Sequence, residues 1–331
     1  MKRIAIIALL LVVCLHVAAD DKPVTISGYL FGDSYYLGSN HDPALEGKNG
    51  FWVRRAYVTF DRALSDSLAA RLRFEMNSPG DFKTNATLEP YVKDAYVKWK
   101  QSPKMDLVVG ISPTPTWELI EKVWGYRSVE KTPVDLHRMG SSRDFGIALT
   151  GAFDDAKKVR YHFLVGNGSG TGSETNDGKK VAFAVSTSPV KAVTVELYAD
   201  RDDRPGDTDR TLLQAFAALQ RERYRAGLQY AHQQRDGEDL SLDVASAFVV
   251  YDLRENISLL GRVDRMFDPN PEGDRIPYLP FDKTSKSTLF LGGVDWKVHK
   301  SFSVIPNVEV VTYDDGGSND IVPRVTFFYT F

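Results

Sequence analysis

From Pro23 to the C-terminus the chain alternates apolar and polar side chains in runs of about ten residues. Between Ser67 and Asn77, Leu68, Ala70, Leu72, Phe74 and Met76 fall on one face. Ala69, Arg71, Arg73, Glu75 and Asn77 fall on the other. A period of two belongs to a strand with one apolar and one wet face. Val193, Val195, Leu197 and Ala199 alternate in the same way with Thr194, Glu196, Tyr198 and Asp200. Phe302, Val304, Val308 and Val310 alternate with Ser303, Asn307 and Glu309. Val325, Phe327, Tyr329 and Phe331 alternate with Arg324, Thr326 and Thr330. Sixteen strands are predicted, beginning near Val24, Phe51, Leu68, Tyr91, Met105, Arg143, Val159, Lys180, Ala192, Leu212, Tyr224, Leu240, Asn256, Ser287, Phe302 and Val322. The pattern is faintest from Lys180 to Ser188 and from Leu212 to Leu219, where the second face is largely alanine.

The connections sort into two alternating classes. Short ones lie near Leu64-Ser65-Asp66, Ser102-Pro103-Lys104, Asp154-Asp155-Ala156, Ser188-Pro189-Val190, Gln220-Arg221-Glu222, Leu253-Arg254-Glu255 and His299-Lys300-Ser301. Long ones cover residues 38–50, 78–89, 112–142, 167–179, 202–209, 233–239, 269–286 and 314–320. A closed, antiparallel, up-and-down transmembrane β-barrel has this arrangement, with short periplasmic turns and long external loops. A soluble sandwich has no reason to sort its loops so. The run Asn167-Gly168-Ser169-Gly170-Thr171-Gly172-Ser173 looks like a phosphate-binding loop, but no Gly-Lys-Ser/Thr follows it, so it reads as a solvated loop tip.

Composition narrows the class. After residue 19 no apolar run approaches the roughly 18 residues that a membrane helix needs, which excludes a helical membrane protein and leaves a barrel open. The N-terminus reads as a signal peptide over residues 1–19. Lys2 and Arg3 precede an apolar stretch from Ile4 to Val17, and Val17-Ala18-Ala19 supplies small residues for cleavage before Asp20. Export would leave a barrel over residues 20–331 with 39 basic and 44 acidic residues, a balance that argues against nucleic-acid binding. It would also remove Cys14, the only cysteine, and with it any disulfide, thiol nucleophile or cysteine metal site.

Several stretches resemble the phosphate-selective porin O and P family: Phe51-Trp52-Val53-Arg54-Arg55-Ala56-Tyr57-Val58, Val92-Lys93-Asp94-Ala95-Tyr96-Val97, Asp106-Leu107-Val108-Val109-Gly110, Ser142-Arg143-Asp144-Phe145-Gly146 and the terminal Phe327-Phe328-Tyr329-Thr330-Phe331. The resemblance is spread over most of the chain. It implies a sixteen-stranded, homotrimeric channel in the outer membrane of a Gram-negative cell. It also implies that Phe331 belongs to the signal read by the barrel-insertion machinery. Such proteins carry rows of arginines and a lysine cluster in the lumen. Here there are arginine pairs but no comparable run, which leaves phosphate as one option among ions and small hydrophilic solutes.

If the apolar faces meet lipid, the opposite faces line a pore. The inward set is Arg55, Arg71, Arg73, Glu75, Asp94, Lys98, Arg160, Glu196, Arg223, Arg225, Arg262, Asp264, Asp295, Lys297, Glu309 and Arg324. A strand charge facing mid-depth hydrocarbon costs several kcal/mol, so these should face water, either as a charged screen or as a salt-bridged wall. The connection over residues 112–142 is the candidate constriction loop, being too long for a simple turn. Within it the stretch from Trp117 to Trp124 has the length of two helical turns, with Thr116 as a cap. Trp117, Glu118, Glu121, Lys122, Arg127, Glu130, Lys131, Asp135 and Arg138 are its candidate selectivity residues. Trp52, Tyr91, Trp99, Tyr161, Tyr230, Trp296, Tyr313 and Tyr329 lie near strand ends, where interface girdles form.

Two rival classes remain. A barrel lipase or protease needs a nucleophile, a base and an orienting partner. His41, His137, His162, His232 and His299 are scattered, with no HExxH or GxSxG around them. A soluble periplasmic β-protein that binds a ligand would carry polar residues at many of the positions read as lipid-facing. No catalytic residue, cofactor or metal site is expected.

Overall fold

A computed structural model describes residues 22–85, 87–206 and 208–331. The expected export signal over residues 1–19 lies outside the described residues. The strands are β1 (Thr25–Tyr36), β2 (Asn49–Ala63), β3 (Leu68–Asn77), β4 (Glu89–Ser102), β5 (Met105–Pro113), β6 (Arg143–Ala152), β7 (Val159–Gly166), β8 (Lys180–Val190), β9 (Val193–Asp202), β10 (Arg210–Gln220), β11 (Tyr224–Arg235), β12 (Leu240–Arg254), β13 (Ile257–Met266), β14 (Ser287–His299), β15 (Phe302–Tyr313) and β16 (Asp320–Thr330). Each begins within two residues of the expected position. Every strand pairs antiparallel with its sequence neighbours, and β1 pairs with β16, which closes the sheet. Closure leaves no unpaired edge.

The seam is finished by Phe331, whose backbone exchanges two hydrogen bonds of 3.0 Å with Gly28. Its ring lies over the hydrogen of Gly28, where an added Cβ would sit 2.2 Å from the ring. Glycine at 28 is therefore what lets the terminal aromatic lie flat on the outer wall.

The outer surface is apolar. Leu72, Ile147, Leu197, Leu213, Leu228, Val249, Phe290 and Val325 all project outward and are exposed. Among the described residues no helix is long and apolar enough to cross a membrane. Trp99, Tyr161, Tyr230, Trp296 and Tyr329 share the outward phase of their strands, as expected for girdles. Three other girdle candidates do not. Trp52 donates to Asp33 at 3.1 Å and stacks on Tyr35, and Tyr91 receives Lys93 at 3.4 Å. Tyr313 is buried against Asp320. All three sit on the inner face.

Two register shifts away from the short turns alter the alternation. Phe31 opposes Arg55 while Gly32 opposes Val53, so Arg54 is the extra residue. Likewise Arg73 opposes Asp94 while Phe74 opposes Val92, so Lys93 is extra. A bulge places two successive side chains on one face. Arg54 and Arg55 therefore both point inward, as do Lys93 and Asp94.

Two connections fold into the barrel instead of standing outside it. The connection between β5 and β6 carries α1 (Glu118–Trp124) and α2 (Pro133–Leu136) and is buried over most of its length. Gly125 ends α1 in the left-handed conformation at φ 74°. Thr116 is not the cap. Trp117 occupies that position without a side-chain bond, and the Thr116 hydroxyl instead meets the Tyr198 hydroxyl at 2.9 Å. The connection between β13 and β14, residues 267–286, also turns inward. Its Ile276, Leu279 and Phe281 pack with Leu136, Leu289 and Val311.

Candidate pore and its inner loop

The inner loop is held at its base, along its length and at its tip. Thr114 N–H donates to the Ser142 carbonyl at 3.1 Å and closes the neck. Gln214 donates to the Thr116 carbonyl at 2.7 Å, and Arg225 to the Trp124 carbonyl at 3.2 Å. Tyr126 donates to Asp295 at 3.2 Å. Arg54, delivered by its bulge, donates to the carbonyls of Ser128 and Val129. Glu130 lies 4.0 Å from Arg54 and 3.6 Å from Arg324, and Arg324 in turn pairs with Glu309 at 2.8 Å. Loop carbonyls that could not reach water are satisfied by polar side chains of the wall.

The apolar side of α1 needs a partner as well, and the wall supplies one. Ile120, Val123 and Trp124 pack against Leu212, Phe216, Leu242, Val244, Phe248, Val250 and Leu260, which project inward from β10, β12 and β13. The Trp124 ring stands 5.2 Å from that of Phe248, edge to face, and its Nε1–H donates to the Glu130 carbonyl at 3.0 Å. The expectation that every inward face is wet is therefore corrected for these strands. On β10 and β12 both faces are largely apolar, because one meets the outside and the other meets α1.

This dry contact divides the expected pore lining. Arg262 and Asp264 pair with each other beneath the Trp124 ring, so they face protein. Arg225, Asp295, Glu309 and Arg324 are likewise taken up by the loop and by each other. Lys297 is on the inward phase but exposed near the short turn. Arg223 is corrected more simply. It precedes β11, in the exposed turn after β10, and is not on the wall.

Open space remains on the other side of the loop, against β1 to β9, as two cavities. The first, of about 240 Å³, is lined by Arg55, Arg71, Arg73, Lys93 and Arg143 from the wall and by Trp117, Glu118, Glu121, Arg127 and Asp135 from the loop. Glu75 and Asp94 are fully buried behind these cations. Glu75 holds Arg55 and Lys93, while Asp94 holds Arg73 at 3.4 Å and Arg143. Arg127 sits between Glu121 at 3.2 Å and Asp135 at 3.3 Å. Cations thus coat the wall, and carboxylates occupy the facing loop. The second cavity, of about 430 Å³, is lined by Lys98, Arg160, Glu196, Ser112 and His162 and reaches the short β4–β5 turn at Pro103 and Lys104. Pro113 and Glu118 line both cavities, which therefore adjoin.

Of the remaining loop candidates, Lys122 and Arg138 are exposed, with Arg138 donating to the Arg275 carbonyl at 3.2 Å. Lys131 is buried. Lys93 and Arg143 were missed from the sequence. Strict alternation sends Lys93 outward, and the available clue was two charges in succession within one strand.

The histidines are dispersed. His41 bonds Asp320 in the outer loop region, His137 lies under Phe281, and His162 lines the second cavity. His232 meets Asp243 on the outward phase, and His299 ends β14. Among the described residues no group of three His, Cys, Asp or Glu side chains could hold a metal ion.

The closed sixteen-stranded barrel superposes on several solved structures over nearly its whole length. OmpF of Salmonella typhi, in complex with daunomycin, superposes with a TM-score of 0.69 at 11% identity, covering 94% of this chain and 98% of that one. An anion-selective porin from Comamonas acidovorans gives 0.68 at 13% identity, over 94% and 100%. A mutant of the Rh. blastica porin gives 0.62 at 13% identity, over 93% and 100%. No protein-family model matches the chain, and no curated protein matches it in sequence. At these identities the likeness is one of fold.

Proposed function

We propose that the protein is an outer-membrane porin of a Gram-negative-type cell, a passive channel for ions and small hydrophilic solutes with a preference for anions. The observation that carries this reading is the pair of adjoining cavities beside the inner loop, the narrower one coated with Arg55, Arg71, Arg73, Lys93 and Arg143. Glu75 and Asp94, which partner four of these cations, lie behind them, so a passing ion meets guanidinium and ammonium groups first; Arg71 pairs instead with Asp61. Glu118, Glu121 and Asp135 face them across the gap and temper the preference. Phosphate, which the resemblance to the phosphate-selective O and P family suggests, is one anion such a wall would accept. Export by residues 1–19, insertion guided by Phe331 and assembly as a homotrimer belong to the same reading.

Planar-bilayer recording on the purified barrel tests it. A KCl gradient should give a reversal potential on the anion-selective side, and added phosphate should lower chloride current. A folded barrel without unit conductance would remove the channel. A conducting barrel indifferent to phosphate would remove only that option.

A further inference from the structure

The second cavity holds polar groups that the fold does not use. Glu196 is only 6% exposed, yet its Oε1 has no hydrogen-bond partner among the described residues. Ser112, 2% exposed, has an unpartnered Oγ, and the Nε2 of His162 is likewise unpartnered. Glu118, exposed at the start of α1, lines the same cavity and has no ion-pair partner among the described residues. A buried carboxylate without a partner costs free energy comparable to a lost hydrogen bond or more. Glu118 is exposed to this space, and Glu196, Ser112 and His162 line it with acceptors that no other group among the described residues meets, a set that a donor-rich cation would satisfy. The side chain of Arg160, in the same cavity, has neither an ion pair nor a hydrogen bond among the described residues.

We propose that this cavity is a subsite for a dipolar solute of amino-acid or dipeptide size, with its ammonium on Glu196 and Glu118 and its carboxylate on Arg160. The register fixes the spacing. Arg160 opposes Ser186, and Ser186 opposes Glu196, so the three lie in one lateral row. Two strand spacings put the outer pair about 10 Å apart at Cα. An extended dipeptide spans about 7 Å. Side chains reaching inward from both ends close the difference. An ammonium has three donors and finds acceptors in Glu196, Glu118 and Ser112. Arg160 offers the planar fork that fits a carboxylate. The cavity volume of about 430 Å³ leaves room for such a solute with water. The adjoining narrow cavity is coated with cations and would accept the carboxylate end first.

The inference rests on the interior being open to solute, and its test is separate from conduction. Glycylglycine is titrated calorimetrically into the detergent-solubilised full chain, alongside N-acetylglycylglycine, which lacks the ammonium, and glycylglycinamide, which lacks the carboxylate. Glycylglycine should bind, and each analogue should bind roughly ten- to a hundredfold more weakly. Glu196→Gln should erase the distinction between glycylglycine and its acetylated form. Arg160→Gln, at an exposed position that does not bear on folding, should erase the distinction from the amide. No binding of glycylglycine to the folded wild-type barrel, or equal binding of all three probes, overturns the proposal. Binding without unit conductance in bilayers supports the subsite while removing the channel.

Discussion

Trp124→Ala asks whether the dry contact holds the loop in place. The indole is 1% exposed, lies edge-on to Phe248 and Tyr126, carries the Arg262 guanidinium at 5.4 Å and donates to the Glu130 carbonyl. Removing a buried tryptophan costs about 3–5 kcal/mol. The strands do not depend on it, because each keeps its two neighbouring ladders. The loss should therefore fall on the loop alone. At about 1.4 kcal/mol per factor of ten, the inward state loses roughly two to three powers of ten in its preference. Two amides report on it directly: Glu121 N–H, bonded to the Trp117 carbonyl at 2.8 Å, and Gly125 N–H, bonded to the Glu121 carbonyl at 2.9 Å. Hydrogen exchange of residues 118–125 should accelerate by about a hundred- to a thousandfold while strand amides stay protected. Single-channel records should show added open-channel noise. Exchange within about threefold of wild type would refute the argument, because it would mean that the polar anchors alone hold the loop.

Arg73→Gln should lower the anion-to-cation permeability ratio about twofold, since a unit charge roughly 8 Å from an ion in water is worth about 0.5 kcal/mol; reversal potentials measure it, and an unchanged ratio would place the current elsewhere. Arg324→Met leaves Glu309 and Glu130 buried without their shared cation and should destabilise the barrel by about 3–5 kcal/mol in urea titrations, an effect that Glu309→Gln in the same chain should partly reverse. His41 in the outer loop is pushed down by burial, but its bond to Asp320 and the charges of Asp320, Asp282 and Asp42 outweigh that, so its pKa lies above the ordinary histidine value. Its tie to β16 is therefore complete below that ordinary value and weakens as pH rises through the raised one. Exchange in residues 37–48, corrected for intrinsic rates, should quicken over that rise, and Asp320→Asn should abolish the step.

The strands were legible because an apolar outer surface and a partly wet interior demand alternation, and Leu68 to Asn77 supplies it nearly residue for residue. The interior was less legible. Alternation names the face on which Leu212, Phe216, Val244 and Phe248 lie but not what covers them, and their cover is α1, remote in sequence. The faint pattern in β10 was itself the clue, since a strand apolar on both faces has two dry neighbours. The cationic wall was half legible: Arg55, Arg71 and Arg73 follow from phase, whereas Lys93 needs a bulge that periodicity alone does not reveal. The inward turn between β13 and β14 was read only as a long connection over residues 269–286, although Ile276, Leu279 and Phe281 are costly to leave in water.

Packing α1 onto one side of the interior separates bore from circumference. In an empty hoop the number of staves sets the aperture. In this protein an internal segment fills part of the interior, so the open space beside it can be widened or narrowed through a few side chains of that segment with no change to the closed sheet.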